Sequence, residues 1–542
     1  MNLQLVHSAA QWLRDIQELQ LTPGNEHDEN TCAAADWFLP RKRSLLAPFG
    51  VGTVDQTLLS VLQARHFFVR LFGLSHKTVI FDEVHAYDAY MSTIFQRLLR
   101  WLRSLSVSVV VLSATLPAQT RRELLQAYTG RPDTALPVVS YPAITWATGD
   151  RQGWVPLPGF TPRTLKIEWI ERNPQSIANR VGDELCEGGC VAVVCNTVRR
   201  AQEVYQAVRD TLAIPSENLL LFHARFPLAW RDQIEQRVLA CFGKGGSRPR
   251  SAVVVATQVI EQSLDLDFDL MISDLAPVDL LIQRAGRLHR HEGRERPSSL
   301  AMPRLLIATP DQVDGVPRFD RDAHVYEPYL LLRSYLALRD RGEITLPDET
   351  VALIEAVYGN QEPSDHALSP AFVEALAQAR ERMQRHHEEH MYQARQRLVQ
   401  DPSTTDVLDQ RSLALEEDSA ELHEALQALT RLAQPGVSLV CLHRTDKGLA
   451  LDPDIPGPAI DLENHPDAEL TGLVAQHTVS VSHPEVVRYF LQQPVPPGWR
   501  QHPLLHHHRA VIFAGGIADL PGTPYTLRLS REFGLQIQKG GV

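Results

Sequence analysis

Four short apolar runs, each ending in polar residues, limit most strongly what this chain can fold into. They are KTVIF (77–81), SVVVLSAT (108–115), CVAVVCNT (190–197) and SAVVVATQ (251–258). Their length and β-branched content are typical of strands that are buried on both faces of a parallel sheet. Amphipathic helical segments follow the first and third runs, so strands and helices alternate along the chain. The sequence therefore predicts an α/β fold with parallel sheets and helices on both sides.

The length and composition of the chain predict several soluble domains. Its 542 residues are several times the usual domain size, 44% of them are hydrophobic, and no apolar run approaches the length of a membrane helix. The N-terminus lacks the pattern of a signal peptide, and six scattered cysteines are too few for a disulfide framework. We therefore expect a cytoplasmic protein with no membrane partner. A net charge of −12 argues against binding nucleic acid over the whole surface, but it does not exclude a local basic channel.

An acidic pair follows the first apolar run. Asp82 and Glu83, in DEVH, come at the carboxyl end of the predicted strand, where α/β sheets place ligand sites. In nucleoside triphosphatases the first acid of such a pair holds magnesium, usually through water, and the second orients the attacking water. Acids are also common at helix N-termini, where they stabilise the helix dipole. The pair alone leaves both interpretations open.

Two hydroxyl residues end the second apolar run. Ser113 and Thr115, in SAT, either cap the helix that ALPAQTRRELLQAYT predicts or hydrogen-bond the carboxylate or histidine of DEVH. In the second case they would relay the state of a bound nucleotide to another domain. Their place after DEVH favours this coupling role.

An arginine-rich segment, QRAGRLHR (283–290), is the strongest signal in the sequence. Gln283, Arg287 and Arg290 are spaced so that they would share one face of a helix. Arginine is the residue that clamps the charge of a γ-phosphate in the transition state. Surface arginines often mark only a solvated helix end, but Gly286 and the acid-rich segment before it favour a phosphate site.

The motifs DEVH, SAT, ATQVIEQSLDLDFD and QRAGRLHR, in this order, resemble the motor motifs of superfamily 2 helicases. More narrowly, the chain resembles the CRISPR-associated helicase-nuclease that the Cascade surveillance complex recruits in type I systems. The segments that carry this resemblance are GVGTVDQTLLSVL (50–62), DEVHAYDAYM (82–91), LSATLP (112–117), FHARFPLAWR (222–231) and TQVIEQSLDLDFD (257–269). The similarity spans about 45–310 and continues more loosely to the C-terminus, where YTLRLSREFGLQ is similar to the closing segment of that family.

The resemblance implies two tandem RecA-like domains that close on ATP, with single-stranded DNA crossing both. A helical linker and a small accessory domain would follow. We predict a partial RecA-like domain 1 at 1–145, RecA-like domain 2 at 160–310, a helical linker region at 311–435 and a C-terminal accessory domain at 436–542. A stretch rich in Pro and Gly at 129–163 is predicted to contain the first interdomain linker.

The resemblance also implies ATP and Mg²⁺ as ligands and assigns a role to each matching residue. Asp82 would be the magnesium partner and Glu83 the base, while Ser113 and Thr115 would couple hydrolysis to movement. The remaining positions implied at the nucleotide are Gln283, Arg287, Arg290 and Asp265, with Arg287 and Arg290 in catalysis and Asp265 near the sugar. The positions implied in contact with the DNA strand are Thr53, Gln56, Asn196, Thr197, His223, Arg225, Thr257 and Gln258. Hydroxyl and amide groups bind phosphates without reading bases, as a translocating motor requires.

The sequence contains no G-x-x-x-x-G-K-[ST] phosphate-binding loop, which a motor of this kind needs to hold the phosphates of ATP. The nearest string, GKGGS (243–247), lacks the earlier glycine and lies in the second predicted domain. LVHSAA (5–10) is similar to a family segment that follows the loop, so we expect the strand, loop and helix before it to be absent. Because the sheet would then expose an edge and apolar surface, we expect either a complementing N-terminal polypeptide or poor solubility of the chain in isolation.

The nuclease half of the family is also expected to be absent. His27 and Asp28 stand alone in a polar segment, and the run His506 to His508 has no acids nearby at ligand spacing. We therefore predict no nuclease metal site in this chain. Two functions remain open: an ATP-driven DNA translocase that acts on Cascade-bound DNA once complemented, and a catalytically inactive remnant that binds DNA and Cascade. The GTVDQ and DEVHAYD segments make a translocase unrelated to CRISPR the weakest interpretation.

Overall fold

The chain folds into two compact units. The first unit comprises residues 1–139, 143–156 and 384–434, and the second comprises residues 140–142, 157–383 and 435–542. The computed structural model describes residues 3–6, 44–63, 67–132, 140–158, 161–261, 264–361, 368–402, 430–432, 436–455, 457–502 and 504–540. Within these ranges no helix is both long and apolar enough to cross a membrane.

The first unit pairs short strands with helices. Its strands are β1 (Leu3–Val6), β2 (Phe49–Gly52), β3 (Thr78–Phe81), β4 (Ser108–Val111), β5 (Ala143–Ala147) and β6 (Gln152–Pro156). Its helices are α1 (Val54–Leu58), α2 (Phe67–Leu74), α3 (Ala89–Ser104) and α4 (Ala118–Thr129). The pairs β1–β2 and β3–β4 are parallel, and β5–β6 is an antiparallel hairpin.

The second unit is larger. Its strands up to the middle of the chain are β7 (Arg163–Glu171), β8 (Gly189–Val194), β9 (Leu219–Phe222), β10 (Ser251–Ala256), β11 (Leu270–Asp274), β12 (Arg304–Thr309), β13 (Gln312–Val313), β14 (Val316–Pro317) and β15 (Glu343–Leu346). The later strands are β16 (Val437–Thr445), β17 (Gly448–Ala450), β18 (Thr478–Val481), β19 (Arg509–Phe513), β20 (Ile517–Asp519), β21 (Tyr525–Ser530) and β22 (Gly534–Lys539). Its helices are α5 (Pro174–Glu184), α6 (Val198–Thr211), α7 (Leu228–Phe242), α8 (Val278–Ala285), α9 (Pro328–Leu338), α10 (Thr350–Tyr358), α11 (Pro370–Arg397), α12 (Ala468–Gln476) and α13 (Pro484–Gln492), of which α11 ends in the first unit.

A seven-stranded sheet forms the centre of the second unit. Its strand order is β15-β7-β12-β11-β8-β10-β9, and every neighbouring pair is parallel except β15 with β7. All residues of β8 are buried, as its continuous apolar sequence predicts. The α/β fold with parallel sheets is therefore confirmed, and all four predicted runs contain a strand.

The helix α3 covers one face of the β3–β4 pair in the first unit. Asp88 caps this helix by accepting a hydrogen bond from the backbone N–H of Met91 (2.8 Å), and apolar side chains recur at helical spacing behind it. Phe81 of β3 packs edge-to-face on Phe95 of α3, with ring centroids 4.8 Å apart. One face of the β3–β4 pair is therefore part of the core of this unit.

The predicted linker contains regular structure. Residues 129–163 include the hairpin β5–β6, whose strand AITWA alternates in exposure, whereas the prediction rested only on the Pro and Gly content. The C-terminal region, predicted as an accessory domain at 436–542, packs against elements of the central part of the second unit. Val437 of β16 and Val511 of β19 share a buried cluster with Val204 of α6, so this region and 157–383 have one common core.

Candidate functional site

The acidic pair lies in the loop directly after β3. Asp82 and Glu83 are both exposed, and Asp82 Oδ1 accepts a hydrogen bond from the backbone N–H of Glu83 (2.9 Å). Glu83 has a left-handed backbone with φ of +55°, which is uncommon for a residue with a side chain and concentrates at functional sites. Both carboxylates are therefore presented to solvent at the carboxyl end of the strand, as the sequence predicts.

A chain of polar contacts joins this loop to the end of β4. His85 Nε2 lies 3.2 Å from Glu83 Oε2, and His85 Nδ1 lies 3.2 Å from the hydroxyl of Ser113. Ser113 Oγ in turn donates to the backbone carbonyl of Thr115 (3.0 Å). The predicted contact between the SAT segment and the histidine of DEVH is therefore present, and it gives a physical route from the acids to the second strand.

Thr53 and Gln56 lie at the start of α1 in the first unit. Thr53 occupies the N-cap position, and its carbonyl accepts a hydrogen bond from the backbone N–H of Gln56 (3.1 Å). Gln56 is buried, whereas Thr53 is half-buried. Their predicted contact with DNA stays a prediction, and Thr53 is the more accessible of the two.

The second unit brings three predicted strand-contacting residues together. Asn196 follows β8, and Thr257 and Gln258 follow β10, which is the neighbouring parallel strand. Gln258 Nε2 donates to the carbonyl of Asn196 (3.0 Å), and Asn196 Nδ2 donates to the carbonyl of Leu275 (2.8 Å). Within the described part of the chain, Asn196 Oδ1 is buried without a hydrogen-bond partner. Thr197 instead caps α6, because its hydroxyl accepts from the backbone N–H of Arg200 (3.3 Å).

A buried ion-pair network lies under this polar group, and the sequence analysis missed it. Asp274, the last residue of β11, accepts from Arg200 Nε (2.7 Å) and from the backbone N–H of Asn196 (3.0 Å). Although burial works in the opposite direction, Asp274 raises the pKa of Arg200. Arg172 donates to Asp322 (2.5 Å), and its Nε lies 3.7 Å from Asp274 Oδ1. The signal for Asp274 was available, because an acid that ends a buried strand is the feature that singled out Asp82.

The arginine-rich segment does not form the predicted helical face. The helix α8 ends at Ala285, so Arg287 and Arg290 lie beyond it and do not share a face with Gln283. The chain after Gly286 pairs instead with the segment after Asp267: the N–H of Phe268 donates to the carbonyl of Arg287 (2.9 Å). Tertiary pairing therefore ends the helix where the spacing alone predicts its continuation.

The arginines of this segment differ in their surroundings. Arg284 is fully buried, donates to Glu261 Oε1 (2.7 Å) and to Ser273 Oγ (2.7 Å), and so is a structural residue. Arg287 is buried and donates to the carbonyls of Gln283 and Glu261. Arg290 is half exposed and pairs with Asp265 (2.8 Å), the residue predicted near the nucleotide sugar.

His223, which is predicted to contact the DNA strand, lies in the interior of the second unit. Its imidazole is fully buried, Nδ1 accepts from the backbone N–H of Arg225 (3.1 Å), and Nε2 lies 3.2 Å from the carbonyl of Phe533. Burial and the nearby Arg225 lower the pKa of His223 to about 3. A neutral ring with both nitrogens in protein contacts does not bind a phosphate directly. Arg225 itself remains partly exposed.

Side chains that could bind a metal ion are scattered over the described residues. These residues contain no group of three or more His, Cys, Asp or Glu side chains that could hold a metal ion, and His27 and Asp28 lie outside them. Asp82 and Glu83 nevertheless fit a Mg²⁺ ion that arrives with a nucleotide, because magnesium uses one or two carboxylates together with waters and substrate phosphates.

Two family models match separate parts of the chain. The model described as "CRISPR-associated nuclease/helicase Cas3, C-terminal" matches residues 187–293, and the model described as "Cas3 C-terminal domain" matches residues 431–535. The first match includes the polar ends of β8, β9 and β10. The second includes β16 to β21.

Relatives and solved structures are similar over most of the chain. CRISPR-associated endonuclease/helicase Cas3 of Thermus thermophilus is 38% identical over 526 residues, covering 89% of this chain and 56% of the relative. The crystal structure of T. fusca Cas3-AMPPNP matches with a TM-score of 0.83 and 31% identity over 99% of this chain and 61% of that chain. A chain of the CRISPR RNA-guided surveillance complex, pre-nicking, matches with a TM-score of 0.71 and 29% identity, covering 92% of this chain and 62% of that chain. The chain thus spans little more than half the length of its curated relative from Thermus thermophilus.

Proposed function

This chain belongs to the Cas3 family of CRISPR-associated helicases and has its RecA-like α/β fold, and from this premise we propose that it is an ATP-dependent translocase on single-stranded DNA. Its substrate would be target DNA bound by the Cascade surveillance complex in the cytoplasm. The similarity to a chain of a CRISPR RNA-guided surveillance complex supports this partner. The observation that carries the proposal is the contact chain Glu83–His85–Ser113, which links an exposed acidic pair to a second strand.

ATP hydrolysis would use the residues that the family resemblance implies at the nucleotide. Asp82 would hold the magnesium ion that neutralises phosphate charge, and Glu83 would orient and deprotonate the attacking water. Arg287 and Arg290 would stabilise the charge that develops on the transferred phosphoryl group, with Gln283 and Asp265 at the nucleotide. His85 and Ser113 would then carry the change at Glu83 to Thr115.

DNA binding would use the polar loops at the strand ends. Gln258 is hydrogen-bonded to Asn196, Thr257 precedes Gln258 after β10, and Arg225 lies close to the end of β9 and supplies a positive charge. Such groups bind the sugar-phosphate backbone and leave the bases free, which lets a motor move along any sequence. Thr53, Gln56 and Thr197 complete the proposed track.

We propose that an N-terminal polypeptide completes the first unit by adding a strand and the phosphate-binding loop. An apolar surface supports this occupant: Ile80 of β3 is 62% exposed and Val110 of β4 is 40% exposed, on the face of the sheet that α3 does not cover. Exposed strand faces of this kind are otherwise aggregation-prone. The relative from Thermus thermophilus has residues outside the matched 56% of its length, and we propose that the polypeptide corresponds to part of them.

ATP hydrolysis with single-stranded DNA tests the proposal, first with this chain alone and then with an added fragment that carries the strand and loop. We expect little hydrolysis by the chain alone and a large gain on complementation. Glu83→Gln should abolish that gain without weakening association with the fragment. Stable association with no gain in hydrolysis would contradict the translocase function and favour the inactive DNA- and Cascade-binding remnant.

A second experiment tests the proposed docking face, which is the exposed face of β3 and β4 that contains Ile80 and Val110. Ile80→Arg places a charge on the exposed face and should weaken association with the fragment at least tenfold, measured by titration calorimetry. Val325→Arg is a matched control, since Val325 is 41% exposed in the second unit. Equal effects of the two variants would contradict the proposed docking face.

A further inference from the structure

A closed ring of hydrogen bonds fixes the backbone of Arg225. The backbone N–H of Leu535 donates to the carbonyl of Arg225 (2.7 Å), and the backbone N–H of Arg225 donates to His223 Nδ1 (3.1 Å). Because Nδ1 accepts, the proton of the neutral imidazole is on Nε2, which faces the carbonyl of Phe533 (3.2 Å). We call residues 531–535 the closing turn. It binds the carbonyl of Arg225 directly, through Leu535, and the N–H of Arg225 indirectly, through His223.

Gly534 makes this close approach possible. It has φ of +64°, and a Cβ atom there would lie 2.6 Å from the carbonyl oxygen of Arg225 and 3.0 Å from His223 Cε1. A side chain at this position would therefore both strain the backbone and push the closing turn off the loop.

The closing turn is itself anchored on α6. Glu532 accepts from Arg209 (2.8 Å) and from the hydroxyl of Tyr205 (3.2 Å). Gln202 Nε2 donates to the carbonyl of Phe533 (2.8 Å), beside the contact that His223 makes. The turn therefore connects the loop after β9 to a helix of the central sheet.

The guanidinium of Arg225 differs from those of Arg200 and Arg284. Burial lowers its pKa, and within the described part of the chain it has no carboxylate partner. Arg200 and Arg284, by contrast, are neutralised by Asp274 and Glu261. A partly buried cation on a fixed backbone, without its own counter-ion, suits an anionic ligand.

We infer that His223 and the closing turn are positioning residues that hold Arg225 for one phosphate of a DNA strand. The inference rests on the proposed DNA binding and assigns to the C-terminal segment a part in it. His223 then acts through the backbone of Arg225 and touches no DNA.

Salt dependence of single-stranded DNA binding by the full chain tests the inference. Each phosphate contact on a single strand contributes about 0.7 to the slope of log K against log salt concentration, so Arg225→Ala should reduce the slope by about that amount. His223→Ala should reduce it similarly, and the double variant should show no further loss. His223→Asn, which keeps an acceptor for the N–H of Arg225, should restore part of the slope.

Gly534→Ala should also reduce the slope, whereas Gly522→Ala is its matched control. Gly522 has φ of +80°, and among the described residues nothing lies within 4 Å of a Cβ atom placed there. The two variants therefore share backbone strain but differ in contact with Arg225. Thermal unfolding should confirm that each variant is folded at the assay temperature.

The outcomes separate two failures. An unchanged slope for Arg225→Ala would overturn the phosphate contact and this inference together. A reduced slope for Arg225→Ala, with additive effects of His223→Ala and equal effects of the two glycine variants, would overturn the positioning role and leave the proposed DNA binding intact.

Discussion

The two units contain parallel strands of the same apolar kind, but only one unit buries them fully. In the second unit β8 and all of β10 except its first residue are buried, while in the first unit Ile80 and Val110 are exposed. Alternate residues explain the contrast. Val254 belongs to one core cluster of the second unit and Val253 to another, so each face of the sheet has its own core. An apolar run therefore predicts a strand, but it does not say how many of its faces are covered.

Polar residues show the same contrast. Asp267 in the second unit is fully buried and pairs with Arg248 (2.9 Å) and Arg296 (2.8 Å), whereas Asp82 in the first unit is exposed. In the second unit, buried carboxylates are thus neutralised by arginines that are themselves largely buried. The first presents its acids to solvent, where a ligand can reach them.

Removal of a charged side chain should give the largest difference between the units in the free energy of unfolding that is lost. Arg248 and Arg296 share two buried carboxylates, Asp267 and Asp269. Asp267→Asn removes one of them and leaves buried positive charge in excess, so we expect a loss of about 3–5 kcal/mol in the free energy of unfolding. Asp82→Asn should change it by less than about 0.5 kcal/mol, because Asp82 is exposed. Urea unfolding followed by circular dichroism measures both. Similar losses for the two variants would break the comparison.

Truncation of matched isoleucines should give the next largest difference. Ile272→Ala, in the fully buried β11, removes contacts on a packed face and should cost about 2–5 kcal/mol. Ile80→Ala should stay within about 0.5 kcal/mol in the chain alone, since its side chain is exposed. A large loss for Ile80→Ala would mean that the face of β3 is covered.

Acid should destabilise the second unit through His223. Its folded-state pKa is about 3, held down by burial and Arg225, so above pH 3 the unfolded chain binds the proton more readily. The stabilising contribution is complete above the unfolded pKa of about 6.5 and decreases by about 1.4 kcal/mol per pH unit as the pH falls from there towards 3. Unfolding measured from pH 7 to pH 4.5 should show this slope, and His223→Asn should reduce it. An identical slope in the variant would contradict the assignment to His223.

Loss of a helix cap should have the smallest effect and should be similar in the two units. Asp88 caps α3 in the first unit, and Thr197 caps α6 in the second. Replacement of either by alanine should cost about 1 kcal/mol, because one backbone N–H loses its partner in each case. Thr197→Ala should also weaken the binding of single-stranded DNA, because we place Thr197 in the DNA track, whereas Asp88→Ala should leave it unchanged. Unchanged DNA binding in Thr197→Ala would limit the role of Thr197 to the helix cap.

Local chemistry made much of the candidate site predictable. The acids after β3, the hydroxyl contact with His85 and the polar group at the ends of β8 and β10 all follow from residues placed directly after apolar strands. The carboxyl ends of parallel strands lie at one edge of the sheet. A sequence that predicts the strands therefore also predicts that the polar residues after them lie close together.

The sequence by itself therefore determined four of the strands, the α/β class, the family and which polar residues follow those strands, because these depend on residues close together in the chain. Only the tertiary structure decided that α8 ends before Arg287, that His223 is buried and that the C-terminal region shares the core of the second unit. The partner of His223, Phe533, lies 310 residues away, and no local pattern encodes a contact of that range. Packing and pairing between distant segments decide which polar side chains remain free for a ligand and which are used to hold the fold together.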